Sequence, residues 1–180
     1  MKKVFASIMF ALSCTVHAAP QGTPVLMTEM EYSHEYEIAL KQIKYKDKGK
    51  AFGTLLKYAQ YGEKVAQYMV ANFYLSGTGT EVNVQEGLVW MGVALEQRTE
   101  EWQDAFDKLT KNLTPEQMAH LNKLIEERKA LYGARAQFVT CSIQAAVTGS
   151  NRRYHVCTKN VDSIKRVTVV KYDQEKTATQ

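Results

Sequence analysis

The clearest pattern of apolar and polar positions lies in residues 64–97. Its first half mixes small and large apolar side chains at helical spacing, from Val65 to Leu75, as a helix packed closely on a neighbour requires. Gly77 and Gly79 follow, and glycine ends helices because it reaches left-handed backbone angles without steric cost. The pattern therefore predicts a helix followed by a tight turn.

A second helix is predicted directly after this turn. Asn83 is a favourable N-cap residue, and Glu86 three positions later completes a capping-box signature. Apolar residues then continue at helical spacing at Leu88, Trp90, Met91, Ala94 and Leu95. Together the two segments predict an antiparallel helical hairpin.

Degenerate copies of the same unit are predicted on both sides of this hairpin. Residues 29–45 and 51–62 are predicted as the earlier helices, and an offset of 36 residues carries Ala51 onto Gly87. Residues 102–109 would open a truncated following unit. A unit of this length cannot bury its apolar face alone, so the copies are expected to stack as a short α-solenoid.

Both ends of the helical region, residues 20–132, also carry signals. Residues 20–28 are predicted as an extended lead-in. Thr114 caps a further helix, with Pro115 at its first position and Gln117 closing the capping box. This helix is predicted to run to Tyr132 and to cover the open end of the stack.

Beyond Gly133 the apolar period changes from helical to alternating. Residues 139–147 predict a half-buried strand, residues 152–158 a returning strand and residues 163–172 a third. The tail, residues 174–180, is predicted to be disordered. The predicted fold class is therefore mainly α, with antiparallel helical-hairpin repeats followed by a small antiparallel β-meander.

The hairpin of the β region is expected to carry one disulfide. Cys141 lies eight residues before Gly149 and Cys157 eight residues after it, so a hairpin centred on Gly149 places the cysteines opposite each other. Facing α-carbons of an antiparallel pair lie about 4.5 Å apart, which a disulfide tolerates. A structural bridge within residues 133–173 is predicted. Disulfide-exchange catalysts instead keep their cysteines close in sequence.

Several positions of the hairpin at residues 64–97 resemble the Sel-1-like repeat, a relative of the tetratricopeptide repeat. The matching residues are Ala66, Gln67, Tyr74, Gly77, Gly79, Asn83, Trp90 and Ala94. The chain departs from the pattern at Thr80, Glu86 and Gly87, where the repeat usually has valine, lysine and alanine. The resemblance implies a helical array that presents a concave face to a protein partner. The spacing of the cysteines around Thr148, Gly149 and Ser150 also resembles a hairpin that recurs in small bacterial envelope proteins.

Residues 1–19 have the pattern of a secretory signal peptide. Two lysines precede an apolar stretch, and small residues follow near Ala18 and Ala19, where cleavage is expected. The apolar run is too short for a permanent membrane span. An alternative makes Cys14 a lipidated N-terminus, although Leu12 is one residue out of the usual register. The mature chain is expected to be soluble and periplasmic or secreted.

Charge separates the two predicted regions. The full chain has a formal net charge of +4, which falls to +2 without Lys2 and Lys3. Residues 19–132 carry 13 basic and 16 acidic side chains, whereas residues 133–180 carry 8 basic and 3 acidic ones. A nucleic-acid footprint should be strongly basic and concentrated on one face, and neither the total charge nor the expected compartment predicts one.

No residues are predicted as catalytic, as metal ligands or as cofactor ligands. The histidines after the leader lie one per element and lack a two-histidine metal spacing. His34 with Glu31 and Glu35 is a weaker alternative for a metal. The large aromatic side chains of the repeat, Tyr68, Phe73, Tyr74 and Trp90, could line a groove, but the pattern favours a core role.

The favoured functional hypothesis is an exported, non-enzymatic adaptor. It would bind a protein of the bacterial cell envelope through the inner face of the repeat or through the basic hairpin. Arg152, Arg153 and Tyr154 near the hairpin tip are the candidate contacts. Two alternatives stay open: a secreted effector or enzyme inhibitor, and a cell-wall-active enzyme, which would need a convergent acid/base pair.

Overall fold

Six α-helices and four β-strands lie in residues 21–44, 48–145 and 153–172, the part of the chain that the computed structural model describes. The predicted leader, the predicted turn at residues 148–150, Arg152 and the predicted tail at residues 174–180 lie outside it. The elements in chain order are β1 (Thr23–Thr28), α1 (Glu29–Lys44), α2 (Lys48–Gln60), α3 (Lys64–Ser76), α4 (Val84–Ala94), α5 (Glu100–Thr110), α6 (Pro115–Tyr132), β2 (Val139–Ala145), β3 (Arg153–Lys159) and β4 (Arg166–Lys171).

The predicted helical hairpin is formed by α3 and α4. Gly77 ends α3 with a left-handed φ of 69°, and the turn leads to Asn83, whose side chain accepts a hydrogen bond from the Glu86 amide at 3.0 Å. A Cβ at Gly87 would lie only 2.7 Å from the Leu75 side chain, so glycine here permits close helix packing. The mainly α class with antiparallel helical hairpins is confirmed.

The neighbouring helices extend this hairpin in both directions. Helix α2 packs on α1 and α3, and α6 packs along α4. A Cβ at Gly92 of α4 would lie 2.3 Å from the Ile125 side chain, which shows how closely α6 approaches. Thr114 and Gln117 form the predicted capping box at the start of α6, with both hydrogen bonds present. The predicted start of this helix is therefore confirmed.

The core runs through the helical hairpins. Its largest fully buried apolar side chains within the helices are Leu55, Tyr58, Val70, Val89, Trp90, Met91 and Val93. Tyr32 of α1 packs edge-on against Tyr58, with ring centroids 5.0 Å apart. Helix α5 joins α3 through a stack of Trp102 on Tyr68 at 4.5 Å. These contacts bury most of the apolar face that a single hairpin would leave open.

The prediction of one β-meander is wrong, because the strands form two separate two-stranded sheets. β2 pairs with β3, whereas β4 pairs with β1, which the sequence predicted only as a lead-in. Val167 and Val169 of β4 are buried, and Met27 and Val25 lie opposite them. The alternating apolar side chains of β4 therefore pack against the helices, and β4 pairs with an N-terminal strand. No local sequence pattern specifies this pairing.

The hairpin of β2 and β3 has the predicted register. Cys141 lies opposite Cys157 with the α-carbons 3.9 Å apart, and the two sulfurs are bonded. The predicted disulfide is confirmed. Separately, none of the helices within the described residues is long and apolar enough to cross a bilayer.

Candidate functional site

A polar groove crosses the face where α2, α3, α4 and α6 meet. We call it the Trp90 groove. Its volume is about 410 Å³, and it is lined by Leu56, Gln60, Tyr74, Asn83, Gln85, Glu86, Trp90, Arg128, Leu131 and Tyr132. Helix packing brings these side chains together from segments separated by up to 76 positions in the sequence. The groove therefore exists only in the assembled array.

An ion pair forms one side of the Trp90 groove. The two terminal nitrogens of Arg128 donate to the two carboxylate oxygens of Glu86 at 3.0 and 2.9 Å. The guanidinium also lies 4.8 Å from the centroid of the Trp90 ring, a cation–π contact. Glu86 was predicted to close a capping box, but no bond from its side chain to Asn83 is present. The repeat usually has lysine at this position, and the glutamate of this chain instead pairs with Arg128.

Trp90 belongs both to the core and to the groove wall. Only 1% of the residue is exposed, and its ring stacks on Tyr132 with centroids 5.6 Å apart. The indole N–H has no hydrogen-bond partner within the described residues. Tyr74 lines the same groove, and burial raises the pKa of its hydroxyl, with the Glu86 carboxylate adding to the rise. Phe73 is buried, so the core role predicted for these aromatic residues describes Phe73 and Trp90 better than Tyr74.

Two amide side chains give the groove its unpaired polar groups. Gln60 of α2 and Gln85 of α4 line it without a side-chain hydrogen bond to any described residue. A primary amide offers two N–H donors and a carbonyl acceptor, the complement of a peptide backbone. The groove contains one carboxylate, Glu86, and both its oxygens already accept from Arg128. The arrangement therefore suits hydrogen bonding better than acid/base chemistry, which needs a second, unengaged group.

A buried polar cluster within the helical array explains why Gln67 belongs to the repeat signature. Gln67 is fully buried, and its amide donates to the carbonyls of Ala59 at 2.9 Å and Tyr132 at 2.8 Å. Lys64 is 1% exposed and donates to Gln67 and, at 2.6 Å, to Glu96. Burial lowers the pKa of Lys64, and the Glu96 carboxylate opposes that shift. Sequence reasoning missed Lys64 and Glu96, because each looks like an ordinary surface charge.

The other signature residues occupy structural positions. Ala66 and Ala94 are completely buried, where any larger side chain would push the helices apart. Gly77 and Gly79 have left-handed backbones in the turn between α3 and α4. Asn83 is the N-cap of α4, and it also lines the Trp90 groove.

A second concave surface lies where the disulfide hairpin docks on the array. We call it the hairpin cleft. It has a volume of about 560 Å³ and is lined by Glu96, Arg98, Ala134, Arg135, Val139, Thr140, Cys141 and His155. His155 contacts the carbonyl of Gln97 through Nδ1 at 2.9 Å. The sulfur of Cys157 lies 3.6 Å from the carbonyl oxygen of Glu96.

Lys159 fixes the other end of the hairpin. Its ammonium donates to the carbonyl of Tyr61 at 2.7 Å and to the carbonyl of Gln137. Burial lowers the pKa of Lys159 to about 8, although the Glu63 carboxylate opposes the shift. The hairpin is thus held on the array mainly by hydrogen bonds to backbone carbonyls.

The predicted tip contacts do not share one surface. Arg153 and Tyr154 are both exposed, but they are consecutive in β3, so their side chains point to opposite faces of the hairpin. Arg153 shares its face with His155, which points toward the array. Arg152 lies outside the described residues. A contact through Arg153 and one through Tyr154 would therefore involve different sides of the hairpin.

The weaker metal alternative near His34 has competing contacts. The Glu31 carboxylate accepts bonds from the amide and hydroxyl of Thr28, and Glu35 pairs with Lys57 at 2.7 Å. In the part of the chain that the structure describes, no three His, Cys, Asp or Glu residues are grouped as metal ligands.

Comparison with known proteins bears on the fold. No protein-family model and no curated protein matches the chain. Among solved structures, the chain is similar to a protective antigen present in uropathogenic Escherichia coli strains that displays an SLR (Sel1-like repeat) fold. The sequence identity is 20%, the TM-score is 0.50, and the match covers 66% of this chain but 27% of the antigen. The predicted Sel-1-like repeat fold is confirmed.

Proposed function

We propose that this chain is an exported adaptor that binds another protein through the Trp90 groove. The observation that carries the proposal is the pair of unengaged amides, Gln60 and Gln85, in a groove built by four helices. An extended segment of a partner would pair its backbone groups with these amides. The Sel-1-like fold supports this role, because the family resemblance implies arrays that present a surface to protein partners.

The chemistry of the groove supports binding without catalysis. Hydrolysis of a cell-wall polymer would require a carboxylic acid and a base at a suitable distance. Glu86 is the carboxylate of the groove, and both of its oxygens already accept hydrogen bonds from Arg128. The groove therefore supplies hydrogen-bonding and aromatic groups for recognition.

The compartment is inferred from two features. The first 19 residues have the charge and apolar pattern of a signal peptide. The disulfide between Cys141 and Cys157 is typical of oxidising compartments such as the bacterial periplasm. We place the partner in the bacterial cell envelope, in agreement with both features.

Site-directed crosslinking in the native cells tests the proposal. A photo-crosslinking residue is placed at Gln85 in the groove and, as a matched control, at Lys123, whose side chain is 74% exposed on α6. We expect a specific crosslinked protein from the Gln85 position only. With that protein purified, the Gln60→Ala/Gln85→Ala variant should bind it about tenfold more weakly, and Lys123→Ala should bind it normally.

Three outcomes would contradict the proposal. Equal crosslinking from both positions would remove the groove as the docking surface. Recovery of the crosslinked complex only from the culture medium would favour a secreted effector. Peptidoglycan cleavage that disappears in Glu86→Gln would indicate an enzyme.

A further inference from the structure

We infer that the hairpin cleft is a second docking site, where Arg98 and Arg135 bind an acidic segment of the partner protein. The inference rests on the proposed protein-binding function and adds a site and a ligand chemistry to it. Arg98 and Arg135 line the same cavity, and both are exposed. Neither makes an ion pair or side-chain hydrogen bond with any residue in the ranges that the structure describes.

The single carboxylate of the cleft does not neutralise these arginines. Glu96 already has partners, because its Oε2 accepts hydrogen bonds from the Lys64 ammonium at 2.6 Å and from the Ala134 amide at 2.9 Å. Lys64 is buried, so its charge stays with Glu96 and not with solvent. The cleft therefore presents two arginine charges, and its one lining carboxylate is already ion-paired with Lys64 through Oε2.

The backbone around the cleft holds Arg98 in an unusual position. Its φ of 53° lies in the left-handed region, which favours glycine or asparagine over a long side chain. Arg98 follows the short 3₁₀ helix Leu95–Gln97, and Arg135 follows the end of α6. A cation near a helix C-terminus stabilises the helix. If the two arginines have this structural role, their loss should lower stability. If they bind a ligand, their loss should lower affinity for that ligand.

The shape of the guanidinium favours carboxylates as the ligand. Each arginine presents a planar fork that bonds both oxygens of a carboxylate, and two forks on one cavity match a segment with several Asp or Glu side chains. The wider charge pattern agrees, because residues 133–180 carry a net charge of +5 and residues 19–132 a net charge of −3. An acidic segment would therefore approach the hairpin side of the molecule preferentially.

Fluorescence anisotropy with the full, disulfide-bonded mature chain tests the inference. The probe is a labelled peptide in which glutamate alternates with serine, and the control peptide has glutamine in place of glutamate. We expect binding of the glutamate peptide alone, weakened at least about tenfold in Arg98→Ser/Arg135→Ser and weakened by added salt. Lys123→Ser, a matched loss of one exposed charge, should stay within about twofold.

Two further variants separate binding from folding. Arg98→Gly relieves the left-handed backbone, so it should fold at least as stably while it loses peptide affinity. Arg98→Lys/Arg135→Lys keeps the charge but removes the fork, and we expect an intermediate affinity. Equal affinity of the wild type and the double serine variant would overturn the inference. Displacement of the peptide by equimolar inorganic phosphate would also overturn it, since the cleft would then be a site for free anions.

The outcome is separable from that of the proposed function. If the acidic peptide does not bind while the Gln85 crosslink persists, the cleft inference fails alone. If no protein crosslinks from the groove while the peptide binds through the arginines, the Trp90 groove fails and the cleft becomes the better-supported surface.

Discussion

The helical hairpin of α3 and α4 and the β-hairpin of β2 and β3 are stabilised in different ways. Every residue from Gly87 to Ala94 of α4 is buried, so this helix is surrounded by apolar neighbours. In β2, by contrast, Val139 is the buried residue, and most of the strand is exposed. The helical hairpin is held by apolar packing, whereas the β-hairpin is held by a disulfide and a few polar anchors.

This difference predicts how far the effect of a substitution should extend through the molecule. Apolar packing in α4 is shared among several helices, so a defect there weakens the whole array. The contacts of the β-hairpin are few and local, so their loss should release the hairpin and leave the helices folded. The candidate surfaces follow the same division, because the Trp90 groove depends on the helical core and the hairpin cleft depends on the hairpin staying docked.

The largest effect is expected from Trp90→Ala. The substitution leaves a cavity beneath Arg128 and removes the stack on Tyr132, which should lower the free energy of unfolding by about 4 kcal/mol. Urea unfolding followed by circular dichroism measures it. Tyr154→Ala is the matched control, because Tyr154 is half exposed on the hairpin and its loss should change stability by less than about 0.5 kcal/mol. Comparable losses in both variants would contradict the core role of Trp90.

Removal of the disulfide should have a smaller and more local effect. In the chain-entropy model, opening a loop of 16 residues costs about 3 kcal/mol. We expect Cys141→Ser/Cys157→Ser to exchange the amide hydrogens of β2 and β3 much faster, while those of α3 and α4 keep their protection. Hydrogen exchange read by mass spectrometry distinguishes the two regions. Uniform loss of protection would show that the hairpin and the array unfold as one unit.

Gln137 lies between α6 and β2 and its side chain bonds α6 to β4, so Gln137→Ala should have the next-largest effect. This residue is fully buried, and its amide donates to Leu131 and Val170 while accepting from the Val170 amide. Truncation leaves those partly buried backbone groups unpaired and should cost about 2 kcal/mol. Gln144→Ala on the exposed part of β2 is the control and should be nearly neutral. Thermal unfolding of both variants tests the prediction.

A pH dependence carried by Lys159 is also expected. Its pKa falls from the ordinary 10.5 to about 8 in the folded chain. Between these values the unfolded chain binds more protons, so the contribution of Lys159 to stability rises with pH across this window and is flat below it. Urea midpoints of the wild type relative to Lys159→Met measure that rise, with Lys123→Met as control. A difference that stays constant from pH 7 to pH 11 would contradict it.

The local features of the fold were predictable. Thr114 caps α6 and Gly77 ends α3 because capping and left-handed geometry depend on neighbouring residues alone. The disulfide register followed from the equal spacing of Cys141 and Cys157 about Gly149, because strand pairing in a tight hairpin is symmetric about its turn. The leader and the tail stay predictions.

The candidate surfaces were much less predictable. Trp90 and Tyr74 were recognised, but Gln60 and Arg128 of the same groove were not, since nothing in the local sequence distinguishes an amide or a cation that lines a groove from one in solvent. For the hairpin cleft, the sequence indicates basic charge beyond Gly133 but favours the hairpin tip as the contact. The structure instead shows that Arg98, from the helical region, lines the same cleft as Arg135.

The sequence alone determined the capped start of α6, the glycine stop of α3 and which cysteines pair, because these depend on interactions between residues near one another in the chain. Only the tertiary structure decided that β4 pairs with β1, that Glu86 pairs with Arg128 and that Lys64 is buried against Glu96. Long-range pairing of this kind depends on which apolar faces meet when the helices pack. The local sequence pattern around each of these residues would be the same whether or not the residues met in the folded chain.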